Sequence, residues 1–135
     1  MDCTATRLPY RQTNSFSKTV LDYLDHAADL KSFYAHSPTL KGIQQAIHAR
    51  EQFTTNRIVL VQELKKQYEA AQSGDRVIKN IESLALNNTF TITTAHQNNI
   101  FTGPLYFIYK IIHAIKLANY LKTSLPEYNF VPVYY

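Results

Sequence analysis

The densest chemistry in this chain lies in one short stretch, Ala95-His96-Gln97-Asn98-Asn99-Ile100-Phe101-Thr102-Gly103-Pro104. A glycine-proline pair opening a helix leaves the first amides of that helix unpaired, at the positive end of its dipole, where a phosphate or carboxylate binds. Thr102 or Gly103 is expected to cap the helix, and backbone donors there would hold the anion. His96 and Gln97 would orient it by hydrogen bonds, and the Asn99 side chain reaches the same crevice. From Ser83 to Tyr109 no residue other than His96 can carry a charge near neutral pH, so nothing there repels an anion. The pattern is neither a Walker loop nor the dinucleotide glycine fingerprint. The plainer alternative makes Thr102 an ordinary cap and His96 a hydrogen-bonded loop residue.

Other reactive side chains are scattered. Lys110 falls in the second turn of the helix that follows, where a cation opposes the dipole; it either meets a bound phosphate or reaches out to solvent. His113 reads as a surface or packing residue. His26, His36 and His48 lack the spacing of a metal site, and Asp22, Asp25 and Asp29 read as a solvated helix face, so no metal is expected. Cys3 has no partner with which to form an internal disulfide. The tyrosines read as core and interface bulk.

The elements that position the loop follow from periodicity. Ser15 or Ser17 caps a short helix carrying Val20, Leu21 and Leu24. Thr39, after Pro38, caps a second helix reaching Arg50, with Leu40, Ile43 and Ile47 on one face. A third helix spans 55–71 and ends at Ser73-Gly74-Asp75, where glycine suits the left-handed conformation. A fourth covers 76–86. Residues 89–95 are β-branched and aromatic and read as a strand. A long helix runs from Gly103-Pro104 to about Lys122, apolar over most of its circumference and therefore expected to be largely covered. Residues 129–135 form a second strand.

Helices followed by strand, long helix, strand predict an α/β fold: an N-terminal helical segment over 1–88, then a βαβ unit with parallel strands over 89–135. A two-stranded parallel sheet has both outer edges unpaired, and parallel strands normally lie buried inside larger sheets. The expectation is one incomplete domain, truncated after its second strand and prone to self-association. The alternative is a complete, non-enzymatic helical interaction module.

The bulk numbers exclude several classes. The chain has 135 residues, a net charge of +4 and one cysteine. Its basic residues form no dense patch, which argues against nucleic-acid binding. The first dozen residues lack a secretory apolar core, and no apolar run is long enough to span a bilayer. A cytoplasmic, soluble protein is expected.

The words Ala95-His96-Gln97 and Ile100-Phe101-Thr102-Gly103-Pro104-Leu105-Tyr106-Phe107-Ile108-Tyr109-Lys110 resemble the bacillithiol biosynthesis cysteine-adding enzymes. So do Phe16-Ser17-Lys18, Leu21-Asp22-Tyr23, Phe33-Tyr34, Pro38-Thr39-Leu40, Ile115-Lys116-Leu117-Ala118 and Tyr128-Asn129-Phe130-Val131-Pro132-Val133. Ala95 stands where that family has glycine. The chain ends at Tyr135, before the family's Trp-Met and acidic segment.

The resemblance implies a ligase that adds cysteine to glucosaminyl-malate, with a Rossmann-like core similar to class I aminoacyl-tRNA synthetases and nucleotidyltransferases. It implies small-molecule substrates, activation of a carboxylate by ATP or another nucleotide, and a homo-oligomer built by a later coiled coil. The piece alone is expected to be inactive. On this reading His96 is the candidate catalytic residue. Gln97, Asn99, Thr102, Gly103 and Lys110 are the candidate substrate- or nucleotide-binding residues.

Overall fold

The computed structural model describes residues 4–71, 73–97, 99–101 and 103–135, which form two compact units, Met1–Gln52 and Phe53–Tyr135. The first unit holds α1 (Lys18–Leu24) and α2 (Leu40–Glu51). Ser17 Oγ accepts from the amide of Val20, so of the two serines Ser17 is the cap. Thr39 caps α2 as expected, its Oγ1 accepting from the Gly42 amide at 3.1 Å. A Cβ on Gly42 would lie 2.0 Å from the Ser37 carbonyl oxygen, so only glycine lets the chain before α2 pass this close. Two 3-10 segments, Tyr10–Thr13 and Ala28–Phe33, were not foreseen, being too short to show a period.

The second unit holds α3 (Arg57–Glu69), α4 (Asp75–Ser83), β1 (Thr89–Thr94), α5 (Leu105–Ser124) and β2 (Asn129–Tyr134). The expected left-handed glycine after α3 is corrected: Gly74 has φ −69° and is instead the residue from which α4 starts. The predicted α/β architecture holds. β1 and β2 pair in parallel, with Phe90 opposite Phe130 and Thr94 opposite Tyr134, and α5 connects them and packs on both. The change from helices to βαβ falls at Thr89, whereas the compact units divide earlier, after Gln52.

Burial concentrates where α5 meets the strands. Phe130, Val131, Ala118 and Leu121 are buried, and so is Thr89, whose Oγ1 accepts from Asn129 Nδ2 at 3.3 Å. The ends of the strands are joined by Asn129 N–H to the Asn88 carbonyl at 2.9 Å and Asn88 Nδ2 to the Glu127 carbonyl at 2.9 Å. Arg57, at the start of α3, donates from Nη1 to the carbonyls of Leu84 and Thr89, both at 3.0 Å.

The apolar helix α5, whose circumference calls for cover, is covered on one side only in this chain. Leu121 is fully buried, yet Leu105 and Tyr109 are each 67% exposed, and Ile108, Ile112, Ile115 and Tyr120 are exposed too. One face of the helix packs on the two strands; two strands are too narrow to cover the rest. Among the described residues both outer edges of the sheet are also unpaired. The isolated chain should therefore self-associate. Light scattering across a concentration series should show a rising mean mass, and a concentration-independent monomer would contradict this.

Candidate functional site

β1 ends at Thr94, and the chain continues along the sheet for one more step. The Tyr135 amide donates to the Thr94 carbonyl at 3.2 Å, and the His96 amide donates to the Tyr135 carbonyl at 3.4 Å. His96 is thereby held at the carboxyl end of the parallel strands, the edge where open α/β sheets place their ligands. Ala95, where glycine was expected, does not have a positive φ, so its methyl group causes no strain.

Around the imidazole the predicted residues converge. Asn99 Nδ2 lies 2.8 Å from His96 Nδ1 and donates to the Gln97 carbonyl at 2.7 Å; Nδ1 itself is 2.9 Å from that carbonyl. Gln97 thus enters through its backbone, and the residue is exposed. His96 Nε2 lies 2.7 Å from the Tyr106 hydroxyl. The ring is flanked by Phe107 edge-on, centroids 5.6 Å apart, and Phe107 in turn meets Tyr134. Tyr134 also donates its hydroxyl to the His96 carbonyl at 3.2 Å.

Gly103 adopts φ +64°, the left-handed region that favours glycine. Its amide donates to the Ile100 carbonyl at 3.2 Å, closing a turn that brings the chain to α5. Pro104, rather than Gly103, is the residue from which α5 starts, and among the described residues no side-chain cap is made there. Thr102 lies outside the described residues. Lys110 is exposed, and its Nζ donates to the Ala95 carbonyl at 2.7 Å, placing a positive charge at the strand end.

Lys110 also lines an open depression of about 400 Å³ between β1 and α5, together with Ile92, Thr94, Tyr106, Tyr109 and His113. The lining carries two phenols, two nitrogen bases and no carboxylate, which suits an anionic ligand. Among the described residues no cluster of histidine, cysteine and acidic side chains could hold a metal. No helix of the described residues is long and apolar enough to cross a membrane.

Sequence reasoning missed Tyr106 and Tyr134, which were read as bulk. A tyrosine in the first turn of a helix, facing the loop that precedes it, is the signal that could have found Tyr106. Tyr134 shows no such signal, because its contact with His96 exists only through the parallel register.

Over residues 1–135 the chain matches the family described as bacillithiol biosynthesis BshC, N-terminal Rossmann-like domain. A protein of Flavobacterium johnsoniae named "Putative cysteine ligase BshC" is 51% identical over 130 residues, covering 95% of this chain and 25% of the relative. Proteins of the same name from Flavobacterium psychrophilum and Cytophaga hutchinsonii are 44% and 40% identical, over 95% and 96% of this chain. The chain spans about a quarter of the length of these curated relatives.

Proposed function

Because the chain belongs to the bacillithiol biosynthesis BshC family, as its N-terminal Rossmann-like domain, we propose that it supplies the ligand crevice of a ligase joining cysteine to glucosaminyl-malate. The observation that carries this reading is the polar cluster at the carboxyl end of β1, where His96, Asn99, Tyr106 and the Gln97 carbonyl form one hydrogen-bonded group. Lys110 adds a cation beside it, on the Ala95 carbonyl. Both substrates carry carboxylates, and an unpaired carboxylate is held best by hydroxyl, amide and ammonium donors of this kind.

Forming an amide from a free carboxylate needs an activated acyl group, which ATP or another nucleotide would supply. The donor set fits a phosphate as well as a carboxylate, with Lys110, Tyr106 and the amides opening α5 as the groups to hold it. His96, Gln97, Asn99, Thr102 and Gly103 would line the same crevice. The setting would be cytoplasmic and the whole ligase a homo-oligomer, acting on small molecules and on neither membranes nor nucleic acid.

His96→Ala in the intact ligase tests the reading. Bacillithiol formation from glucosaminyl-malate and cysteine should fall about 100- to 1,000-fold, the range of a lost catalytic hydrogen-bonding group. Thermal unfolding should move little, because the ring is only half-buried. A variant running at the wild-type rate would remove the loop from the active crevice.

The unit Met1–Gln52 supports a second reading, an interaction module. Tyr10, Phe16, Val20, Tyr23, Leu24 and Phe33 line an apolar depression of about 760 Å³ there. Such a surface suits protein contact, and on this reading the same His96→Ala variant would be silent.

A further inference from the structure

We propose that His113, with Lys110 and Tyr109, forms a subsite for an anionic group of the ligand, in the depression between β1 and α5 and beyond the His96 loop. This rests on the reading that the chain supplies the ligand crevice, and deepens it.

The residues share one face of α5. Tyr106, Lys110, His113 and Leu117 follow one another at steps of three or four positions, and with Tyr109 they form the helix side of the depression of about 400 Å³. Sequence alone makes His113 a surface or packing residue; the depression gives it neighbours with chemistry.

Lys110 is anchored there. One of its three ammonium hydrogens goes to the Ala95 carbonyl at 2.7 Å, which fixes Nζ beside the strand end and leaves two hydrogens to give. Among the described residues neither the Tyr109 hydroxyl nor the His113 ring has a hydrogen-bond partner. An imidazole offers an N–H donor in either tautomer, so the role of His113 does not depend on which nitrogen holds the proton. The loop cluster around His96 is already hydrogen-bonded to itself, whereas these donors on α5 are open to a ligand.

Nothing in the βαβ unit neutralises them. From Thr89 to Tyr135 the chain carries three lysines and a single carboxylate side chain, Glu127, in the turn between α5 and β2. No carboxylate lines the depression. An ammonium, a phenol and an imidazole around one opening fit an oxyanion, since carboxylate or phosphoryl oxygens accept from all three.

The test uses the intact ligase and substitutions at His113, which is exposed and can change without loss of the fold. In His113→Ala, KM for the anionic substrate should rise about tenfold, the scale of one lost hydrogen bond to a charged group, with thermal unfolding unchanged. His113→Gln keeps an N–H donor and should recover most of that loss. His113→Glu has the shape of glutamine with a negative charge, so KM should rise about fivefold beyond the alanine variant, the scale of an exposed charge contact. The substrate whose KM moves identifies the anion: glucosaminyl-malate or cysteine for a carboxylate, the nucleotide for a phosphoryl group. If the glutamine and glutamate variants share one KM for every substrate, no anion sits there and the proposal is overturned; an impaired His96→Ala then leaves the crevice reading standing. A difference between them beside a silent His96→Ala keeps the subsite and removes the loop. If all these variants run as the wild type, both fall.

Discussion

Replacing Arg57 by alanine should destabilise the unit Phe53–Tyr135 by about 2–3 kcal/mol, from the loss of hydrogen bonds made by a charged donor. Arg57 is half-buried at the first position of α3, where its charge opposes the helix dipole. What offsets that cost is where its guanidinium goes. Nη1 donates to two carbonyls at 3.0 Å, of Leu84 just after α4 and of Thr89 at the start of β1, and Nη2 reaches the Asn87 carbonyl at 3.5 Å. One planar group thus holds together the end of one helix, the start of another and the first residue of the sheet. Removing it leaves the Thr89 carbonyl, on a residue that is 1% exposed, without that donor.

At about 4–8 °C per kcal/mol for a domain of this size, the unfolding midpoint should fall by roughly 10–20 °C. Lysine in its place should recover only part of the loss, since a point charge cannot span carbonyls that a planar fork bridges. Circular dichroism against temperature measures both variants, and an unshifted midpoint for Arg57→Ala would show that water replaces the guanidinium at no cost.

No sequence pattern points to Arg57, and the reason is physical. Its partners are backbone carbonyls about thirty residues ahead, and any residue type offers a carbonyl. What was legible came from side chains that act locally. Thr39 capping α2, the β-branched run of β1 and the apolar period of α5 each depend on neighbours within a turn or a strand. The parallel pairing followed from the length of the connection alone, because a helix between two strands leaves few other ways to pair them. At the site, His96 and Asn99 were legible since both lie in the same short loop. Their dependence on Tyr106 was not, because a polar contact between loop and helix is set by how the turn at Gly103 closes. The exposed face of α5 follows a related rule: periodicity shows that a face is apolar, and only the neighbouring elements decide whether it is covered.

Gly103→Val in the intact ligase should abolish most activity, by about a hundredfold or more, while the helices and strands remain. The sequence alone suggests that valine would intrude on the ligand. The structure supplies a nearer obstacle. A Cβ at Gly103 would lie 2.7 Å from both Cβ and Cγ of Asn99 and 3.0 Å from its Nδ2. The φ of +64° adds to this, since a β-branched residue is a genuine outlier there. Relief must come either from the turn, which moves the start of α5 and Tyr106 with it, or from Asn99, which gives up its donation to the Gln97 carbonyl and its contact with His96. Both routes disturb the same network, and a shift of about 1 Å in a positioning group is enough to cost a hundredfold in rate. The second route has its own signature. Gly103→Ala should be far less harmful in an Asn99→Gly background than in the wild type, because every Asn99 side-chain atom that the new Cβ strikes is then gone. Steady-state bacillithiol formation by the two single variants and the double variant measures the coupling. Equal effects of Gly103→Ala in both backgrounds would place the damage in the backbone turn instead, and full activity of Gly103→Val would remove the turn from the chemistry altogether.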